Sequence, residues 1–256
     1  MRPSSRDSTW AEMWQASWDR LEERYVPDRE VQIDALLDVI DAAVARTPAI
    51  LDLGSGTGTL TRRFLDRWPD GRAVALDVDP VLLAIASATF VGDDRVQVVA
   101  ADLRDARWIG SLPHGRFDAI VTTTALHWLP EQVVRRLYGD AAALLEPGCL
   151  FAHAEAMPLA GLPRLGPALA DVKRRRRTSC HPETGPSWDD WWRQVAEDPR
   201  LRPAAEARQS IFLHNYPEHE FCPPAEWHLD TLLDAGFREV GVVWRSGASA
   251  IVAALR

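Results

Sequence analysis

The sequence predicts an α/β fold built on an open, mostly parallel sheet. Three observations predict it. Ala49 to Leu60, AILDLGSGTGTL, reads as a buried strand, a turn with glycines at Gly54, Gly56 and Gly58, and a helix opening near Thr59. Later apolar segments alternate strand and helix in the same way, starting with RAVALDVDP and RVQVVAADL. Three of these strands carry or end in an acid, at Asp52, Asp77 and Asp102. The C-terminal edge of an open α/β sheet is where ligands bind.

The first unit has the grammar of a cofactor cradle. Glycines let the backbone turn sharply and approach a ligand closely, and a helix start offers free N–H groups and a positive dipole end. The glycine spacing narrows the choice. A dinucleotide fingerprint would place its third glycine at position 59, which is Thr, and no Gly-Lys-Ser/Thr of a P-loop is present. Asp77 lies about 20 residues past the glycines, where such a sheet places a carboxylate on ribose hydroxyls. Asp79 reads as an N-cap with Pro80 at the first helical position, opening a helix over Val81–Phe90. The third strand is expected over Arg95–Leu103, and the fourth over Phe117–Trp128. A helix over Glu131–Leu145 stops at Pro147-Gly148, and a fifth strand follows within Leu144–Glu155. Strands at Val240–Trp244 and Ser249–Ala254 flank the turn Arg245-Ser246-Gly247.

The D-x-G-x-G-x-G pattern at Asp52–Gly58, with the acids that follow in order, resembles the class I S-adenosylmethionine-dependent methyltransferases. The resemblance spans about residues 48–155 and 225–256 and includes small-molecule members like trans-aconitate methyltransferase, through the pair His127-Trp128. Gly148-Cys149 stands where many members have Gly-Gly. The resemblance implies a Rossmann-like seven-stranded sheet of order 3-2-1-4-5-7-6, with N-terminal helices, a helical insertion before strand six and S-adenosyl-L-methionine as cofactor. It implies that Asp52, Gly54, Ser55, Gly56 and Gly58 form the cradle under the methionine part. Asp77 with Val78 would then serve the ribose, Asp102 with Leu103 the adenine, and Thr123 and Thr124 the sulfonium side. Residues 1–47 are expected as a helical cap, 48–256 as the catalytic domain and 157–224 as a substrate-lobe insertion.

In the cap, Trp10, Met13, Trp14, Trp18, Leu21 and Tyr25 recur at helical spacing, as do Ile33, Leu36, Leu37, Ile40 and Val44. The Trp-rich first helix is a candidate lid, with Trp14, Trp18, Arg24, Tyr25, Arg29 and, across the pocket, Trp128 as its substrate-side residues. An arginine here suits the methionine carboxylate. In the insertion, helices are expected over Gly166–Arg176, Trp188–Glu197 and Pro203–Phe212, the second with a capping box from Ser187 to Asp190. Trp188, Trp191 and Trp192 read first as the core of that lobe.

Methyl transfer is an in-line displacement, so positioning comes first and a base is needed only for a nucleophile that holds its proton. His127 is the first candidate base, the alternative being a packing or capping role. His153 is the weaker candidate; it shares a strand face with Glu155, and both either line the pocket or leave the strand into water. His153-Ala154-Glu155 matches the H-x-E of zinc deaminases, but P-C-x-x-C is missing. His214, His219 and Cys222 match no standard zinc spacing, so no metal is expected.

Formal net charge is -8 and the pI about 5.4. That balance argues against non-specific nucleic-acid binding and against an anionic membrane surface. Lys173–Arg177, KRRRR, is the one strongly basic patch, and it keeps an RNA or tRNA substrate open as the alternative; a non-catalytic S-adenosylmethionine-binding protein is the other. Three widely spaced cysteines imply no disulfide framework, and the N-terminus lacks a signal-peptide apolar run, so a cytoplasmic monomer or homodimer acting on a small-molecule acceptor, a secondary metabolite or organic acid, is expected.

Overall fold

The computed structural model describes residues 5–26, 28–44, 47–113, 115–180, 186–212 and 220–256. Its centre is a seven-stranded sheet: β1 (Ala49–Leu53), β2 (Arg72–Asp77), β3 (Val96–Ala100), β4 (Ala119–Thr123), β5 (Leu150–Ala156), β6 (Glu239–Ser246) and β7 (Ser249–Leu255). The order is β3-β2-β1-β4-β5-β7-β6, as the resemblance implies. The first five strands run parallel, and β7 lies antiparallel to both β5 and β6. The chain leaves β1 toward β2 on one side and returns to β4 on the other. The tips of β1 and β4 therefore open a crevice at the point where strand order reverses.

Strand periodicity divides the core in two. Ile50, Ala73, Val121, Leu150 and Ala152 point to one face and meet Ile33, Leu36 and Ile40 of α2 (Arg29–Ala43) and Phe64 of α3 (Thr59–Arg67). Leu51, Leu53, Val74, Ile120 and Phe151 point to the other. There they meet Val134, Leu137 and Tyr138 of α5 (Glu131–Leu144) and Leu232 of α9 (Ala225–Asp234). Sheets covered on both faces read as near-continuous apolar runs.

The Trp-rich α1 (Ser5–Tyr25) does not pack on the sheet. Trp14, Trp18 and Leu21 join Val81, Leu82 and Ile85 of α4 (Pro80–Thr89) and Trp191 and Val195 of α7 (Trp188–Glu197) in a third core. Trp10 Nε1 and Trp14 Nε1 both donate to Asp198, at 2.9 and 3.0 Å, which ties the cap to the segment after β5. That segment also holds α6 (Leu165–Cys180) and α8 (Arg202–Phe212). Asp79 caps α4 by accepting from Val81 N at 2.9 Å, and Ser187 Oγ accepts from Asp190 N at 3.2 Å at the start of α7.

Two local expectations are corrected. The fourth strand ends at Thr123 and not at Trp128, because Thr124 takes a left-handed φ of 47° and Leu126–Trp128 form a single 3-10 turn. Trp108–Ser111 form a further 3-10 turn that periodicity did not reveal, anchored by Trp108 Nε1 donating to Asp140 at 2.9 Å.

The glycine turn owes its composition to protein neighbours. Gly54 has φ +69°, and a Cβ there would stand 2.3 Å from the Ala125 Cβ. Gly58 has φ +84°, and its Cβ would stand 2.5 Å from the Phe90 ring. Gly54→Ala combines left-handed strain with a clash against backbone-bound Ala125. It is expected to lower stability by about 2–4 kcal/mol, read as a lower urea midpoint at constant slope. An unchanged midpoint contradicts this packing account.

Candidate active site

The tips of β1, β2, β4 and β5 converge on a cavity of about 610 Å³, roofed by α1, α7 and α8. That volume lies in the range of small-molecule and cofactor sites. At its floor the turn after β1 is pinned to β2 by backbone and carboxylate together. Gly54 N and Ser55 N donate to Leu76 O at 2.8 and 3.0 Å. Asp77 Oδ2 accepts from Gly56 N at 2.8 Å, and Oδ1 accepts from Val78 N at 2.7 Å and Asp79 N at 2.9 Å. Burial pushes the Asp77 carboxyl up to about 6, against the pull of these N–H donors. Ser55 Oγ is buried and has no hydrogen-bond partner, so a polar atom on the floor is left for a ligand.

The expected site residues divide by position. Gly54, Ser55, Gly56, Asp77, Val78, Asp102, Leu103, Thr123 and Thr124 line the cavity. So do Trp18, Tyr25, Arg29, His127 and Trp128. Asp52, Gly58, Trp14 and His153 do not. Asp52 is buried under the turn, accepts from Thr61 Oγ1 at 2.8 Å, and is pushed up to about 7 by burial. It braces β1 against α3 and does not reach the wall. Gly58 faces Phe90, and Trp14 belongs to the third core. Asp102 reaches the wall with its carboxylate held by Arg104 Nη2 at 2.8 Å and Nε at 2.9 Å. His214 and His219 lie outside the described residues; among those described, no cluster suits a metal ion.

The fourth wall carries a buried polar chain. His127 Nδ1 lies 3.0 Å from Glu155 Oε2, and His153 Nε2 lies 3.7 Å from the same oxygen. His153 Nδ1 is 2.9 Å from Tyr138 OH, which is 2.7 Å from His228 Nδ1. One proton order satisfies every contact. His228 Nδ1–H donates to Tyr138, whose O–H donates to His153 Nδ1, and His153 Nε2–H and His127 Nδ1–H both point at Glu155. The second ring nitrogen of His127 is left for the cavity. Burial raises the Glu155 carboxyl, but His127 and His153 more than reverse this and hold it well below the usual range. Burial lowers the His127 imidazole, and Glu155 more than offsets it, so it sits above its ordinary value. Of the two alternatives for His153 and Glu155, Glu155 reaches the cavity and His153 stands behind it, fully buried.

Sequence reasoning missed Glu22, Tyr138, His228 and Arg208. Glu22 sits one turn after Trp18 on the same helix face, a spacing that could have marked it. Arg208 Nε donates to Asp79 Oδ2 at 2.5 Å and its guanidinium lies 3.6 Å over the Trp192 ring, a pairing between α4 and α8 that no local pattern encodes.

Burial, with the neighbouring His153 acting in the same direction, pulls the His228 imidazole down to about 3. Unfolded, the same ring takes a proton near 6.5. Acidification across that window therefore favours the unfolded state through this group. An NMR titration of the ring protons should show His228 unprotonated at pH 5; a midpoint near 6.5 contradicts its placement. Tyr138→Phe removes a partner from both histidines and should cost about 1–3 kcal/mol, measured by urea unfolding.

Comparison with known proteins follows the same lines. Residues 50–148 match the family described as methyltransferase domain. A malonyl-[acyl-carrier protein] O-methyltransferase of Acetivibrio thermocellus is 30% identical over 104 residues, 41% of this chain and 35% of the relative. A trans-aconitate 2-methyltransferase of Streptomyces avermitilis is 39% identical over 94 residues, 35% of this chain and 33% of the relative. The matched segment thus spans about a third of these relatives' length. Among solved structures, the DhpI-SAM-HEP complex aligns over 99% of this chain and 100% of its own, with TM-score 0.57 and 16% identity. Human N-acetylserotonin methyltransferase in complex with SAM aligns over 100% of this chain and 60% of its own, with TM-score 0.56 and 14% identity. Residues 50–148 are similar to a methyltransferase domain, and the chain that carries them has the fold seen in the class I S-adenosylmethionine-dependent methyltransferases.

Proposed function

We propose that this protein is an S-adenosylmethionine-dependent methyltransferase acting on a small-molecule acceptor. One observation carries the reading: a glycine turn pinned by the buried Asp77 carboxylate forms the floor of a cavity whose opposite wall is the His127–Glu155 pair. The residues present fit the donor. Asp77 has lone pairs left for a ribose diol beyond its three backbone donors, and the orphaned Ser55 hydroxyl lies beside it. Leu103 and the Asp102 backbone frame an adenine, while Thr123 and Thr124 stand at the tip of β4. Arg29, paired with Asp19 at 3.2 Å, lies on the cavity wall and suits the methionine carboxylate.

When bound, S-adenosylmethionine supplies an activated methyl on a positive sulfur. This chain supplies position and a place for a proton. Glu155 fixes the His127 ring by Nδ1 and leaves the other nitrogen to accept from an acceptor's O–H or N–H. α1, α7 and α8 cover the cavity from above and narrow its access to water.

The nucleic-acid reading has less to stand on. Within the basic run, Lys173 is committed to Asp28 at 2.9 Å and to Ser246, and Arg175 pairs with Asp171 at 3.1 Å. No helix among the described residues is long and apolar enough to cross a membrane.

Calorimetry with S-adenosylmethionine and its demethylated product should give binding of both, weakened about tenfold or more by Asp77→Ala. Affinity should also fall as pH drops through about 6, where Asp77 takes its proton. Unchanged affinity in Asp77→Ala removes that residue from the site. His127→Gln should lower turnover about 10²–10⁴-fold with donor affinity preserved. Because the neutral ring is the base, wild-type kcat/KM should rise with pH through a value above the ordinary imidazole pKa; a flat profile contradicts the role.

A further inference from the structure

The half of the cavity away from the glycine turn has a composition that selects an acceptor. Its walls are aromatic. Trp18 and Tyr25 of α1 face Trp188 and Trp192 of α7, with Trp128 and Phe212 beside them. Their rings pack on one another, Trp188–Trp192 at 5.8 Å and Tyr25–Trp188 at 6.3 Å edge-on and Trp18–Trp188 tilted at 6.0 Å. Ring faces and edges so arranged receive a flat ring.

The charges on the same walls are uneven. Each arginine lining the cavity is already paired: Arg29 with Asp19, Arg104 with Asp102, Arg208 with Asp79. Glu22, Glu155 and Glu220 line the same cavity as His127, and Glu155 Oε2 lies 3.0 Å from its Nδ1. Thr124 Oγ1 lies 3.5 Å from Glu22 Oε2, and Phe221 N donates to His127 O at 2.9 Å, which holds the segment of Glu220 against that histidine. A carboxylic acid acceptor would bring its negative charge to these glutamates, with Arg29 assigned to the donor's own carboxylate and Arg104 and Arg208 already matched to Asp102 and Asp79. An ammonium acceptor would be welcome by charge, yet it has no lone pair to attack with and adds a positive charge beside a sulfonium. A neutral hydroxyl meets neither objection. Among hydroxyls, a phenolic O–H ionises near 10, within reach of an imidazole backed by a carboxylate, whereas an aliphatic one is a far weaker acid.

Resting on the methyltransferase reading above, we propose that the acceptor is an uncharged aromatic hydroxyl compound of the phenol or catechol class, methylated on oxygen. The phenolic oxygen gives its proton to the second ring nitrogen of His127. Its electron pair forms the O–CH3 bond as the methyl–sulfur bond breaks, and the sulfur keeps that bond's electrons as a neutral thioether. The products are an aryl methyl ether, the thioether and protonated His127, which returns its proton to water. The malonyl and trans-aconitate acceptors in the relatives' names are carboxylic acids and differ from this class, and the wall charges are what separates them.

Saturation-transfer NMR with catechol, trans-aconitate and benzylamine, each with S-adenosylhomocysteine present, tests the proposal. Catechol should bind, and Trp188→Ala should weaken it about fivefold or more while S-adenosylhomocysteine affinity by calorimetry stays within about twofold. Tyr25→Ala, at an exposed position, should weaken it in the same direction and serves if Trp188→Ala does not fold. Incubation with S-adenosylmethionine should give the catechol monomethyl ether by mass. Tighter binding of trans-aconitate or benzylamine than of catechol overturns the proposal, as does catechol binding indifferent to both variants. No catechol binding in a protein that still binds S-adenosylhomocysteine overturns it too. Loss of S-adenosylhomocysteine binding in the wild type overturns the methyltransferase reading instead.

Discussion

The architecture of the cavity depends on a buried carboxylate held by backbone. Asp77 takes three N–H groups from two loops, those of Gly56, Val78 and Asp79. Burying a carboxylate is costly unless it is satisfied in this way. The same contacts lock the turn after β1 to the tip of β2 and start α4, whose cap Asp79 is the next residue but one. Arg208 then reaches Asp79 from α8, and the roof is joined to the floor through the same pair of carboxylates. Without Asp77, the amides of Gly56, Val78 and Asp79 would each lose a partner.

A second constraint runs through the sheet. His228, Tyr138, His153, Glu155 and His127 form one line from α9 to the cavity, with contacts of 2.7, 2.9, 3.7 and 3.0 Å. Such a chain is expensive unless complete, since each missing partner leaves a buried polar atom. Apolar side chains would fill the same space at lower cost, so the gain lies elsewhere. It orients Glu155 and, through Glu155, fixes which nitrogen of His127 is committed. The Nε2 atoms of His153 and His228 have no hydrogen-bond partner, so the chain carries that cost at two atoms.

The sheet was legible because strands covered on both faces write long apolar runs, and a cap such as Asp79-Pro80 is written in adjacent residues. The lining residues Asp77, Asp102 and His127 were legible because topology brings strand tips to one edge. Asp52 was misjudged for a physical reason. On a strand its side chain alternates away from the tip, and Thr61 captures it beneath the turn. Of the three glycines, Gly54 and Gly56 line the cavity while Gly58 faces Phe90, and a Cβ at Gly54 would meet Ala125. Tyr138, His228, Glu22 and Arg208 come from helices far apart in the chain. Their meeting is tertiary, and no periodicity announces it. The Trp-rich α1 read correctly as amphipathic, but its partner, the Trp191 face of α7, lay more than 170 residues away by the Trp191–Ser17 bond that joins them.

The central claim is that the Asp77-pinned turn and the His127 wall face one another across a donor bound between them. Crystals grown with S-adenosylhomocysteine measure this directly. The account predicts the ribose hydroxyls on Asp77, the adenine against Leu103, and the thioether sulfur turned toward the wall that carries His127. A cavity left empty at saturating ligand, or a nucleoside seated with its sulfur away from His127, would contradict it.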